Sequence, residues 1–219
     1  MYKLAIFDWD GTLVDSAPKI VRIMAEAARQ QNISPVDDSA VQSIIGLGLP
    51  EALLTLYPNL DDVQRDAIRA SYSELFSSDA EEPKAFVGIP EMIEQLSDDG
   101  IILAVATGKS RRGLNREFGL KSFSKYFQAS RCADETASKP NPQMVLELLQ
   151  WAQVEPSQAI VIGDTSYDLE MAHRAGTKSL GVSYGVHDTA TLSTWSTCGV
   201  VDDSAAIYQI INPKDTSHA

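Results

Sequence analysis

Short apolar runs punctuate the chain, and between them apolar residues recur at helical spacing. The first run, Leu4-Ala5-Ile6-Phe7, has no alternation, the pattern of a strand buried on both faces. Ile101 to Ala106, Ala159 to Ile162 and Lys178 to Ser183 repeat it. Phe127 to Arg131 is weaker and predicts an edge strand, and Gly199-Val200-Val201 a last short one.

Helices are predicted between these runs. After Asp15, with Asp15 or Ser16 as cap and Pro18 in the first turn, Ile20, Ile23, Met24, Ala27 and Ala28 mark a helix that stops near Asn32. A second starts at Val36-Asp37-Asp38 and runs through Val41, Ile44 and Ile45, until Gly46-Leu47-Gly48-Leu49-Pro50 interrupts it. Leu53, Leu54 and Leu56 predict a third, ended by Pro58-Asn59. Asp61-Asp62 caps a fourth, through Val63, Ala67, Ile68, Tyr72, Leu75 and Phe76. Ser77 to Lys84 is a polar return linker. Beyond it, helices over Met92 to Leu96, Leu114 to Phe118, Met144 to Ala152 and Leu169 to Ala172 alternate with the strands.

Strand–helix alternation predicts an α/β fold: a Rossmann-like parallel sheet with helices on both faces. The block from 15 to 84 carries no strand signal and breaks the alternation. It is expected to be an inserted α-helical cap domain, with residues 1–14 and 85–219 forming the core domain. Residues 212–219 are polar and are expected to be a disordered tail.

Composition narrows the function classes. With 219 residues, 44% hydrophobic and 22% charged, the chain can bury a sizeable core. No apolar run is long enough to span a bilayer, and the N-terminus enters the first strand without an apolar leader. A cytoplasmic protein without a membrane partner is therefore expected. The net charge of −12 argues against nucleic acid as a partner. Cys132 and Cys198 have no metal-site or disulfide spacing and read as reduced thiols in or near the core.

The polar residues that close the apolar runs carry the candidate chemistry. Asp8 and Asp10 follow the first run, Thr107 the second, and Asp164 and Asp168 the third, with Lys139 just ahead of a helix. In parallel sheets these ends converge on one edge, where ligands bind. Clustered carboxylates call for a compensating cation, and Mg²⁺ takes oxygen ligands from carboxylates and phosphates. Alternatively, one carboxylate attacks phosphorus while the other moves the proton. Gly11 lets the backbone turn sharply between them.

Asp8-x-Asp10-Gly11-Thr12-Leu13-x-Asp15, Thr107-Gly108, Lys139-Pro140 and Gly163-Asp164-x-x-x-Asp168 resemble, in this order, the four motifs of the haloacid dehalogenase superfamily. The resemblance covers Met1 to about Val201 and is closest to the phosphoglycolate-phosphatase-like branch with a small helical cap. It implies a Mg²⁺-dependent phosphatase of a small phosphomonoester, with phosphoglycolate the leading candidate, working as a monomer or weak dimer. Asp8 would be nucleophile and metal ligand. Asp10 would be general acid and base, lending its backbone carbonyl to the metal. Thr107 and Lys139 would hold the phosphoryl group, Asp164 would ligate the metal, and Asp168 would ligate through water or orient Lys139. The backbone at Trp9, Gly11, Thr12 and Gly108 would serve the phosphate, and Gly46 and Gly48 would lie in the loop that selects substrate.

Other readings stand beside this one. Asp10 argues against dehalogenation, which needs no acid there. Lys19 and Lys84 lack the apolar setting that a phosphonate-cleaving imine lysine requires. Thr107-Gly108-Lys109-Ser110 resembles the end of a P-loop, but Leu103 stands where its first glycine belongs. A phosphomutase and a non-enzymatic Mg²⁺-binding phospho-acceptor module remain the alternatives. Lys109, Arg111, Arg112 and Arg116 form a basic cluster that is either a solvated helix face or, through Lys109, a contact to an acidic substrate's far end. His187 follows a strand end and lines the entrance on the functional reading; His173 reads as a packing residue.

Overall fold

In the computed structural model, which describes residues 2–213, the first apolar run forms β1 (Leu4–Phe7), buried throughout. The chain turns at Gly11, and β2 (Val14–Asp15) leads into α1 (Ala17–Gln30), which ends just before Asn32 at a left-handed φ of 57°. Then come α2 (Asp38–Ser43), α3 (Leu49–Leu56) and α4 (Asp62–Ser78). Asp61 and Gln64 cap α4 reciprocally, satisfying its first free N–H groups. β3 (Lys84–Ala85) pairs antiparallel with β2, Asp15 opposite Lys84, so a two-strand ribbon closes the base of the insert.

The remaining chain alternates: α5 (Ile89–Asp98), β4 (Ile102–Thr107), α6 (Arg111–Leu120), β5 (Ala129–Cys132), α7 (Gln143–Ala152), β6 (Ala159–Gly163), α8 (Ser166–Ala175), β7 (Lys178–Val182), α9 (Thr189–Ser193), β8 (Val200–Val201) and α10 (Ser204–Ile211). The sheet order is β5-β4-β1-β6-β7-β8, all parallel, with the weak run at the edge. Successive side chains leave opposite faces. Ala5, Phe7, Leu103, Val105, Ile160 and Ile162 pack against α5, α6 and α10. Leu4, Ile6, Ala104, Ala106 and Val161 pack against α7 and α8. The four insert helices have their own apolar cluster around Met24, Ala27, Leu53 and Ile68.

Some local expectations change. Ile44 and Ile45 lie in turns after α2 yet stay buried against α1, so their apolar signal reports packing and not helix. Leu54 and Val63 face solvent, because α3 and α4 each bury one face only. The ribbon residues carry no strand signal; two-residue strands are too short to leave one. Asn212 and Pro213 follow α10, and the rest of the expected tail lies outside the described residues. Among the described residues no helix is long and apolar enough to cross a membrane.

Candidate active site

Sheet register gathers the chemistry. Phe7 lies level with Val105 on one side and Ile162 on the other. Asp8, Thr107 and Asp164 therefore leave neighbouring strands at the same edge, and the Asp8 N–H donates to the Ile162 carbonyl at 2.9 Å. All three are buried. Lys139 arrives from the segment before α7 with its side chain wholly buried. Its Nζ donates to Asp8 Oδ1 and to Asp168 Oδ1, each at 2.6 Å. Asp168 reaches the site because Gly163 has no Cβ; one there would collide with the Asp168 side chain. The other Asp168 oxygen accepts from Thr165 N and Oγ1 at 3.2 and 2.6 Å, which caps α8.

Asp164 is held as firmly. Thr12 Oγ1 donates to its Oδ1 at 2.7 Å and Val186 N to its Oδ2 at 2.9 Å. Gly11 turns at φ +83° against this carboxylate, and a Cβ there would strike it, so the position needs glycine twice over. Tyr184 braces the turn, its hydroxyl donating to the Thr12 carbonyl at 2.9 Å.

Asp8, Asp164 and Asp168 can present carboxylate oxygens within 4.8 Å of one another. Lys139 ion-pairs with Asp8 and Asp168, and among the described residues no cation pairs with Asp164, so the ionised trio holds negative charge in excess. Burial drives the Asp8 carboxyl well above its ordinary range; the Lys139 ammonium opposes this, and the charges of Asp168, Asp164 and Asp10 add to it. Burial first, then the Asp168 charge, pushes Asp164 up to about 7 against its hydrogen bonds from Thr12 and Val186. Burial alone would lower Lys139, but the Asp168 and Asp8 carboxylates outweigh it and hold the amine above its usual value. Asp8 Oδ2 is buried with no hydrogen-bond partner. An all-oxygen donor set, excess negative charge and an orphaned carboxylate oxygen fit a hard divalent cation such as Mg²⁺.

Asp10 stands apart from that trio. Its Oδ1 accepts from Ser16 Oγ and lies 2.9 Å from Lys109 Nζ. Ser16 sits at the N-cap of α1 without making a cap bond, its hydroxyl being diverted to Asp10. Lys109, for which a contact to a substrate's far end is one of two sequence readings, pairs with Asp10 and lies over the Phe76 ring of α4, 4.8 Å from its centroid. Thr107 Oγ1 accepts from Lys109 N at 3.2 Å. Gly46 and Gly48 lie against the core: Gly48 N donates to Ser138 Oγ at 2.8 Å, and the carbonyls of Gly46 and Leu47 abut Gly108 so closely that no Cβ fits there. The Trp9 side chain packs in the core among Phe118, Phe123 and Phe127. His187 joins the site's edge, its Nδ1 accepting from Ser166 N at 3.0 Å. His173 packs on Trp195. Sequence reading missed the roles of Ser16, Thr165 and Tyr184, whose hydroxyls look like any cap or core polar group until the fold brings their partners near.

Residues 5–182 match the haloacid dehalogenase-like hydrolase family. Phosphoglycolate phosphatase of Aquifex aeolicus is 31% identical, over 84% of this chain and 85% of its own. N-acetylmuramic acid 6-phosphate phosphatase of Pseudomonas aeruginosa is 26% identical, over 96% and 95%. A hydrolase from Pseudomonas syringae superposes with a TM-score of 0.87 at 22% identity, over 98% and 99% of the two chains, a likeness of fold. The chain belongs to the haloacid dehalogenase-like hydrolases, as a phosphatase of the phosphoglycolate-phosphatase-like branch.

Proposed function

We propose that this phosphatase is Mg²⁺-dependent and hydrolyses a small phosphomonoester through a phosphoenzyme on Asp8. The observation that carries the reading is Asp8 itself: buried, paired with Lys139 through one oxygen, and left with the other oxygen unpartnered beside Asp164. Asp8, Asp164 and the Asp10 backbone would hold the metal. When bound, the cation supplies charge neutralisation for the phosphoryl oxygens. Asp168 has both oxygens committed to Lys139 and Thr165, which supports a positioning role.

In the first step an Asp8 carboxylate oxygen bonds to phosphorus and the ester P–O bond breaks. Asp10 gives its proton to the departing alcohol oxygen. In the second, Asp10 takes a proton from water, whose oxygen bonds to phosphorus; the acyl-phosphate P–O bond breaks and Asp8 is restored. Lys139 balances charge on Asp8 and on the phosphoryl oxygens throughout. Ser16 and Lys109 fix where the Asp10 carboxylate points. Phosphoryl transfer depends mainly on such positioning and charge stabilisation.

The same reading makes residues 15–84 a cap that closes over the core formed by 1–14 and 85–219, excluding water. Its separate apolar cluster and the short β2–β3 ribbon support a hinge at Asp15 and Lys84. Phosphoglycolate is one candidate substrate, on the strength of the Aquifex relative. The test is phosphate release from p-nitrophenyl phosphate. Turnover should require Mg²⁺, vanish with a chelator, and be lost in Asp8→Asn with the fold intact; metal-independent turnover, or an active Asp8→Asn, would refute it.

A further inference from the structure

A cavity of about 470 Å³ lies between the insert helices and the sheet edge. Asp10, Gly108 and Lys109 line its inner end, whereas Asp8, Lys139 and Asp164 do not line it. On the mechanism above, Asp10 protonates the leaving oxygen. The alcohol half of the substrate must therefore occupy this cavity while the phosphoryl group sits deeper. Its size is that of a small-molecule site and far exceeds a two-carbon leaving group.

Its walls have two characters. Ile20, Met24, Ile44, Leu49, Tyr72 and Phe76 make the insert side largely apolar. Arg112 and Arg116 line the opposite side from α6, four residues apart and hence on one helix face. Of the other five charges at the cavity four form ion pairs, and the fifth, Asp134, accepts from a neutral backbone N–H. Lys109 pairs with Asp10 at 2.9 Å, Arg69 with Asp66 at 2.9 Å, and Asp134 accepts from Arg111 N at 2.8 Å. Among the described residues no carboxylate lies within ion-pair distance of Arg112 or Arg116, and Arg116 reaches only the Phe76 carbonyl, at 3.5 Å. Asp10, Asp66 and Asp134 also line the cavity, but among the described residues none of them ion-pairs with these two guanidinium groups, and the four lining cations, Arg69, Lys109, Arg112 and Arg116, outnumber the three carboxylates.

We propose that the substrate is a phosphomonoester whose alcohol half has a ring-sized apolar body and, beyond it, a second anionic group held by Arg112 and Arg116. The planar guanidinium fork suits carboxylate and phosphate alike, so either chemistry meets this requirement. The inference rests on the phosphatase mechanism above and adds the shape and charge of the leaving group. It moves recognition of the acidic end from Lys109, which Asp10 occupies, to the next turns of α6.

The test compares kcat/KM for three aryl esters with Mg²⁺ present: 4-methylphenyl phosphate, 4-carboxyphenyl phosphate and 1,4-phenylene bisphosphate. Phosphoglycolate serves as the short acidic control. At least one of the two anionic aryl esters should exceed the methyl ester by roughly tenfold and should also exceed phosphoglycolate. Which one does so distinguishes carboxylate from phosphate. The double variant Arg112→Gln, Arg116→Gln should bring the anionic-to-methyl ratio down toward one. Because a ratio is read, a general loss of activity or folding does not imitate the result. Equal turnover of all three aryl esters, or a ratio unchanged in the double variant, would overturn this inference and leave the phosphatase mechanism standing. Failure of every ester with the native chain would count against both.

Discussion

Asp168 uses both carboxylate oxygens on neighbours, Lys139 on one side and Thr165 on the other. Replacing it by Asn should leave the backbone in place but loosen Lys139, lowering kcat by about 10- to 100-fold with the metal requirement retained. Steady-state kinetics against metal concentration checks this; a simple fall in metal affinity at unchanged saturated kcat would make Asp168 a ligand instead. Gly11→Ala faces a left-handed φ and the Asp164 carboxylate at once, and should abolish turnover. Residue chemistry of this kind was partly legible beforehand. Asp8, Asp10 and Asp164 stand out because charged residues after buried strands have no packing rationale, and Asp168 and Lys139 through the motifs they belong to, Gly163-Asp164-x-x-x-Asp168 and Lys139-Pro140. The partners that aim them were not legible, because Ser16 is six residues from Asp10 and looks like a helix cap, while Thr12 and Asp164 are 152 residues apart.

At the scale of elements, the strands could be read because their apolar runs are continuous, whereas β2 and β3 offer two residues each. Their pairing matters more than their length: it ties both ends of the insert together at one place. The loop at Gly46 and Gly48 has the opposite character, resting on Gly108 by backbone contact. Gly108→Ala would push the Gly46 and Leu47 carbonyls away from the core. The expected outcome is a loss of kcat/KM of up to about 10²-fold, from displacement of the loop, with the side chains of Thr107 and Lys139 unchanged. Unchanged kinetics would mean that the loop has no part in closing the site. Within the insert, Ile68 is fully buried, so Ile68→Ala should destabilise the chain by about 2–5 kcal/mol in urea unfolding.

For the molecule as a whole, the site is stored electrostatic cost. Asp164 is held protonated more readily in the fold, near 7, than in the unfolded chain, where its value is 3.8. A raised carboxyl contributes stability that is fully present below the unfolded value and is lost as pH rises through the folded one. Metal-free protein should therefore melt lower at about pH 8 than at about pH 5, and the stabilisation given by Mg²⁺ should be larger at the higher pH. Thermal melts with metal and with chelator check this, and a Mg²⁺ effect that shrinks as pH rises would contradict it. The central claim is narrower than stability: phosphorus becomes bonded to Asp8. Acid quenching during turnover with Mg²⁺, followed by peptide mass spectrometry, should find one added phosphoryl group on the peptide holding Asp8 and none in Asp8→Asn. Rapid phosphate release from a chain that never carries that group on Asp8, or that turns over equally well as Asp8→Asn, would contradict the account.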